Sequence, residues 1–373
     1  MPDPSLHFDS APTGTVTERL PFDILIDIIE SLPKKDQFSL CYVSQGWSEV
    51  CLFVINRVVL LRSVREAKAF LLGVQTKPGR AVAIRSFAIA EYLYPRIESI
   101  KILLEDVIKL MIPHLQHLSV PSDLLGAFTL HHGTFPNLIS YNCNPYTYSE
   151  PHPDVTFIGF LKRHPDLTNL CVRALGNAST SPTLLRVHLP NLQWFDGDAK
   201  FLPALTTQQL REARLTWSWG DDFEQPIVAL RSMASPGMPF ASINNGINYE
   251  RERRYLVEAL ATHLPNLKTL HMRAAINVGW LEEDTLEYFT TQLPRFKRLR
   301  YFAIEDMLSY RSAFRSEHQI MHPVVVNWAR VCPTLEACCI HQFCFKKNGG
   351  EWVFCTRKEF HDLTGGALWN KFK

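Results

Sequence analysis

The sequence predicts a mixed α/β protein: a small N-terminal three-helix module followed by an irregular α/β solenoid. Three observations carry this expectation. Residues 20–51 place apolar side chains at helical spacing. From about residue 80 a short Pro-x-Leu-x-x-apolar pattern keeps returning. Prolines outnumber glycines, 24 to 17, and many stand where a helical pattern gives way to an extended one. Composition agrees with a folded chain. Of 373 residues, 46% are hydrophobic and 20% charged, which argues against wholesale disorder. The balance of 39 basic and 37 acidic residues provides no field to steer nucleic acid or an anionic membrane, so neither is an expected partner.

Residues 1–17 are rich in Pro, Ser, Thr and Asp and are expected to form a disordered arm. They lack the basic-then-apolar order of a secretory leader. No stretch approaches the roughly 20 apolar residues that span a bilayer. The nine cysteines are an odd number and read as reduced thiols, which places the chain in the cytoplasm and/or nucleus.

The helical module is expected over residues 18–60. Pro21 suits the first turn of a helix. Ile24, Leu25, Ile28, Ile29 and Leu32 then form one apolar stripe of about three turns. Pro33 stops it. A second helix is expected from about Asp36, as N-cap, to Val43, with Phe38, Leu40 and Val43 apolar. Ser44 is placed to cap a third helix carrying Trp47, Val50 and Cys51. Three helices in roughly 35 residues are too small to be stable alone. Such a unit needs a partner surface or a neighbouring domain.

The order Leu20-Pro21, Ile24-Leu25, Ile28-Ile29, Leu32-Pro33, Leu40, Val43-Ser44 and Trp47 resembles the F-box family. In that family LP opens the first helix and V-S-x-x-W closes the motif. One departure is Gly46 before Trp47, which predicts a late or loose third helix, since Gly costs about 1 kcal/mol in a helix interior. The resemblance implies docking on the Skp-type adaptor of a cullin–RING (SCF-type) ubiquitin ligase. It assigns Leu20, Pro21, Ile24, Leu25, Ile28, Leu32, Leu40, Val43 and Trp47 to core and adaptor-facing surface together.

The second part of the chain, residues 61–373, repeats. The pattern appears as IPHLQHLSV, FPNLISYNC, HPDLTNLCV, LPNLQWFDG, LPNLKTLHM and CPTLEACCI, with FKRLRYFAI as a variant. AIRSFAI and QLREARL are weaker copies without the proline. Anchor leucines fall at Leu115, Leu138, Leu167, Leu192, Leu267, Leu299 and Leu335, at spacings of 23, 29, 25, 75, 32 and 36. L-x-x-L-x-apolar is the strand signature of leucine-rich repeats, and helical patterns precede several copies, as in residues 100–112, 155–163, 249–263, 282–293 and 324–331. The rival is a non-repetitive α/β domain with a common L-x-x-L pattern. Residues 232–248 are expected to be a long loop interrupting the array, and a first candidate for target contact. Residues 349–360 are expected to form a C-terminal capping hairpin about a KNGG turn. The F-box with degenerate leucine-rich repeats resembles the expanded F-box family of fungi, notably basidiomycetes.

Motifs for chemistry are weak. No G-x-S-x-G, P-loop or G-x-G-x-x-G sequence occurs. Cys332, Cys338, Cys339, His341, Cys344, Cys355 and His361 crowd the C-terminal region without a C-x-x-C pair, so they read as repeat core rather than zinc ligands. His131-His132 and Asp221-Asp222 read as loop residues. No metal or cofactor is expected, and the chain is not expected to be an enzyme. Tyr141, Trp194, Phe195, Trp217 and Trp219 lie at or near repeat strands and are candidate anchors for a target protein, with core packing as the alternative for each. The expected function is substrate recognition for an SCF-type ubiquitin ligase, with Skp-type adaptor, cullin complex and an unknown target as partners. The rivals are an interaction scaffold outside a ligase and an enzyme with an unrecognised site.

Overall fold

The computed structural model describes residues 20–90, 100–120, 133–143, 155–172, 186–217, 223–244, 249–274, 283–306 and 317–364. The expected arm at residues 1–17 lies outside them. The chain is mixed α/β and divides into two compact units, one to residue 117 and one from residue 118. No helix among the described residues is long and apolar enough to cross a membrane.

The first unit opens with α1 (Phe22–Ser31), α2 (Lys34–Leu40) and α3 (Gln45–Ile55). Pro21 and Pro33 stand at the N-cap positions of α1 and α2, so α2 starts before Asp36, which sits in its first turn. Ser44 caps α3, its Oγ accepting from Trp47 N at 3.3 Å. Gly46 falls in the first turn of α3, where the helix has fewest bonds to lose, and the helix is regular from Gln45. Strand β1 (Val58–Leu61), helix α4 (Val64–Thr76), strand β2 (Ser86–Ile89) and helix α5 (Lys101–Met111) follow. The two strands pair in parallel, Val59 beside Phe87 and Leu61 beside Ile89, all four buried. A short strand β3 (His117–Ser119) lies where the units divide.

Among the described residues the second unit sets α-helices between its strands from residue 140 to residue 340, except over residues 169–217. Its elements are β4 (Ser140–Cys143), α6 (Val155–Lys162), β5 (Asn169–Val172), β6 (Val187–His188), β7 (Trp194–Asp198), β8 (Leu205–Thr206) and β9 (Glu212–Trp217). Then come α7 (Glu224–Met233), β10 (Pro239–Asn244), α8 (Tyr249–His263), β11 (Thr269–Ala274), α9 (Glu283–Gln292), β12 (Tyr301–Asp306) and α10 (Glu317–Val331). It ends with β13 (Ala337–Ile340), β14 (Phe343–Asn348), β15 (Glu351–Cys355) and α11 (Arg357–Leu363). Strands β4, β5, β7 and β9 to β15 lie in chain order in one sheet, while β6 and β8 pair apart. Pairing is parallel through β13 and antiparallel through β14 and β15. Parallel neighbours need crossovers; α6 to α10 supply those from β4 to β5 and from β9 to β13, whereas β7 reaches β9 through a 3-10 turn at Ala199–Ala204 and β8.

Register explains the sequence repeat. Tyr141, Leu170, Phe195, Ala213, Phe240, Leu270, Phe302 and Cys338 stand side by side across eight strands, each three residues after its anchor position. All eight are fully buried. Helices cover this face: Phe302 meets Phe289 of α9 at 5.9 Å and Trp328 of α10 at 5.1 Å between ring centroids. Trp328 donates its indole N–H to Thr290 Oγ1 at 3.1 Å, so its polar edge is satisfied inside the core.

The repeat prolines do more than stop helices. Phe135 O, His164 O, Leu189 O, Leu264 O and Cys332 O each accept from the anchor leucine N–H three residues later. That places Pro136, Pro165, Pro190, Pro265 and Pro333 second in a four-residue turn, where a fixed φ near −65° is already correct. From there a backbone ladder begins. Thr168 O accepts from Gln193 N and Trp194 N, Lys268 O from Arg300 N and Tyr301 N, and Arg300 O from Glu336 N and Ala337 N. One carbonyl thus locks the start of each following strand.

Residues 232–248 are not one long loop. Ser232 and Met233 end α7, and Pro239 to Asn244 form the central strand β10. Its anchor position is Gly237, at φ 76°, instead of leucine. That substitution hid the repeat and accounts for much of the gap of 75 between Leu192 and Leu267. Helix α10 begins at Glu317 rather than 324, and α4 and α7 have no counterpart in the sequence reading. A hairpin turns at the KNGG sequence, but it joins β14 and β15, residues 343–355, and residues 357–360 of the expected span begin α11. Asn348 faces Glu351 around Gly349 and Gly350, whose φ of 59° and 100° suit a primed two-residue turn.

Candidate functional site

The three N-terminal helices hold a compact core of Leu25, Ile29, Val50, Cys51 and Val54. Leu20, Ile26, Leu40, Cys41, Trp47 and Ile55 pack around it, partly buried. Leu25 and Ile29 are four apart on α1 and point the same way. Burial, with Cys41 nearby, pushes the Cys51 thiol up to about 11, so it remains protonated and behaves as a small apolar residue.

A buried polar residue joins the first two helices. Gln37 Nε2 donates to Ile29 O and to Leu32 O, both at 2.9 Å. These carbonyls lie at the end of α1, where intrahelical partners run out. Gln37 was not among the expected site residues. Its signal in the sequence is a lone glutamine close after a helix stop, too common to interpret alone. At the other side Arg57 forms an ion pair with Glu30, which ties the end of α3 to α1.

With this core filled, other apolar side chains remain outside. Ile24 and Ile28 are 42% and 40% exposed, one helical turn apart on α1. Phe38 on α2 is 52% exposed, and Tyr42 and Val43 in the turn before α3 are 91% and 63% exposed. Phe22, also half exposed, meets the Phe53 ring edge-on at 5.4 Å. Single exposed apolar residues are ordinary, but here six lie within 22 residues of one small module.

The residues assigned jointly to core and adaptor surface therefore separate. Pro21, Ile24, Ile28 and Val43 are exposed. Leu20, Leu32, Leu40 and Trp47 are half-buried. Leu25, expected at the adaptor surface, is instead fully inside, and a side chain that fills the helix core has no surface to offer. Phe22, Phe38 and Tyr42 are surface residues that were not assigned.

The aromatic anchors expected on the repeats are corrected more strongly. Tyr141, Phe195 and Trp217 are fully buried, and Trp194 is 3% exposed. Tyr141 packs on Phe160 at 5.0 Å, and Trp217 on Phe223 at 4.8 Å. Trp194 lies on the opposite face of the sheet and donates its indole N–H to Glu212 Oε1 at 3.0 Å. These rings are core and present no exposed surface to a target. Trp219, His131, His132, Asp221 and Asp222 lie outside the described residues.

The cysteine-rich C-terminal region also resolves into packing. Tyr301, Ala303, Ala337, Cys339, Cys344, Cys355 and Phe360 form a second small core, on the face opposite Phe302. Cys338 belongs to the first face. Burial pushes the Cys338 and Cys339 thiols well up, which removes the thiolate that metal binding or nucleophilic attack needs. Among the described residues no group of three or more His, Cys, Asp or Glu is placed to hold a metal ion. Beside this core, Glu305 accepts from Arg357 at 2.6 Å and lies 3.5 Å from His271 Nε2. Burial works against its charge, but His271 and Arg357 hold the carboxyl below its usual range.

No curated protein matches the chain. The F-box domain family matches residues 18–57, a span that contains α1, α2 and α3 with both their filled core and their exposed apolar side chains.

Proposed function

We propose that this chain is the substrate-recognition subunit of an SCF-type cullin–RING ubiquitin ligase. Residues 18–57 would hold a Skp-type adaptor, and the strand repeats, read as degenerate leucine-rich repeats of the kind found in fungal F-box proteins, would hold a target protein. The observation that carries this reading is the exposed apolar set Ile24, Ile28, Phe38, Tyr42 and Val43 on a module whose own core is already complete. Covering such a set with a partner helix face is worth about 25 cal/mol per Å² of apolar surface removed from water. The chain itself would do no chemistry. It would raise the local concentration of target lysines at the ligase, in the cytoplasm and/or nucleus.

The test is capture of purified Skp-type adaptor by the full chain and by an Ile24→Asp, Ile28→Asp variant. Both positions are exposed, so the variant should melt within about 2 °C of the parent. The parent should retain adaptor and the variant should lose it. A parent that captures no adaptor, where a known F-box protein does, removes the ligase reading and leaves a scaffold outside a ligase.

A further inference from the structure

Along the start of strands β11 to β13 lies a cleft of about 660 Å³ walled by cations. Lys268 precedes β11, Lys297, Arg298 and Arg300 precede β12, and Lys347 reaches it from β14. One carboxylate, Glu336, enters the same cleft. We propose that this cleft binds an extended acidic protein segment, with carboxylates spread along its length.

The charge is not cancelled locally. Glu336 is occupied by Arg300 in a two-pronged pair, Nε and Nη2 each 2.6 Å from a carboxylate oxygen. That leaves Lys268, Lys297, Arg298 and Lys347, all exposed and none with a carboxylate partner among the described residues. Four such charges in one cleft stand out in a chain whose net charge is +2.

The backbone fixes where they stand. Arg300 N donates to Lys268 O at 2.9 Å, Glu336 N to Arg300 O at 2.8 Å and Lys347 N to Glu336 O at 2.8 Å. Neighbouring positions in that chain are therefore about one strand spacing, ~4.8 Å, apart. The Tyr301 ring, between Lys268 Nζ at 6.0 Å and the Arg300 guanidinium at 5.6 Å, supports both by cation–π attraction.

The same bonds decide between ligand shapes. A compact phosphate prefers convergent backbone N–H groups. Here the N–H groups of Lys297, Arg300, Glu336 and Lys347 are spent on carbonyls. Only side-chain charges remain, in a row, on flexible stems. The cleft also shares Gly237 with a second one of about 310 Å³ that carries Arg231. Distributed charge along an open groove fits a chain rather than a point anion.

The inference deepens the target-binding half of the proposed function and rests on that reading only for which protein supplies the segment. Its test needs no adaptor, so its failure is distinguishable from failure of the ligase reading. Binding of a fluorescein-labelled deca-glutamate peptide to the full chain is followed by anisotropy, at about 50 and about 200 mM salt. We expect binding that weakens with salt, and a loss of at least roughly tenfold when Lys268, Lys297, Arg298 and Lys347 are all changed to Glu. The four alanine changes should weaken binding in the same direction and serve if the reversed variant does not fold. Reversal of four exposed cations elsewhere, Lys68, Lys162, Arg186 and Lys358, should leave binding within about threefold. Absence of peptide binding by the parent, or equal loss in both reversed variants, overturns the proposal. So does tighter binding of tripolyphosphate than of the peptide through the same four residues.

Discussion

The N-terminal helices and the strand repeats use apolar residues in opposite ways. In the helices the core is complete with five fully buried side chains, and the surplus, Ile24, Ile28, Phe38, Tyr42 and Val43, faces outward. In the repeats even the residues best suited to be interface anchors, Tyr141, Trp194 and Trp217, are inside. The contrast teaches where to look for partners. An apolar residue marks an interface only when the core beneath it is already closed. In the second unit exposed cations gather instead at the edge where strands β11 to β13 begin.

That contrast can be broken by substitution. The largest effect is expected in the repeat core. Trp217→Ala removes a fully buried ring that packs on Phe223 and should cost about 3–5 kcal/mol, read as a fall in the denaturant midpoint. Adaptor capture by the N-terminal helices, measured at a temperature where the variant is folded, should be unchanged. If Trp217→Ala leaves stability intact, the ring is not core and the comparison fails.

Gly197→Ala should come next, at about 1–3 kcal/mol. A Cβ at this position would stand 2.2 Å from Val172 O on the neighbouring strand, a backbone atom that cannot swing away. Gly197 occupies the place where other copies carry Val172, Leu215 or Met272, so the sequence pattern alone would favour a larger residue. A stabilised or unchanged variant would show that the two strands separate more easily than their register implies.

Acid should act chiefly on the second unit. Phe135 N donates to His164 Nε2 at 2.8 Å, so Nδ1 carries the proton and donates to Phe160 O at 2.7 Å. Burial lowers the His164 pKa, and it also lowers those of His271 and His361. A histidine lowered in the folded state binds fewer protons than it does unfolded. Its stabilising contribution is full above the unfolded pKa, about 6.5, and declines as pH falls below it. Urea midpoints should therefore drop on going from about pH 7 to about pH 5.5. His164→Phe should be less stable at neutral pH, through loss of both hydrogen bonds, and should show a shallower pH slope. An unchanged slope would exclude His164 as a contributor.

The smallest stability change is expected at the exposed helical residues. Ile28→Ala should shift stability by no more than about 0.5 kcal/mol while weakening adaptor capture. A large loss of stability would mean that Ile28 completes the module's own core, and the surplus would shrink accordingly.

Local pattern made much of this molecule legible. The stripe from Ile24 to Leu32, its proline boundaries and the Ser44 cap all depend on neighbours within a few residues, and each has its counterpart in the structure. The anchor leucines and their strands were visible for the same reason. Strand β10 was not, because Gly237 replaces the leucine and Ser242 the third apolar residue, leaving a stretch that resembles a loop. Helices α4 and α7 were also missed.

What the sequence determined by itself was therefore the three N-terminal helices with their docking resemblance and the strands that follow an anchor leucine. What only the tertiary structure decided was which residues are covered. Strand alternation assigns Trp194 to one face and Tyr141 to the other, but whether either face meets water depends on segments distant in the chain. Glu212 receives the Trp194 indole, and α6 covers Tyr141. The cationic cleft is likewise invisible in sequence, where Lys268, Arg300 and Lys347 are far apart. Backbone pairing between strands brings them into one row. Burial and charge clustering are properties of pairs of residues, and those pairs exist only after the chain has folded.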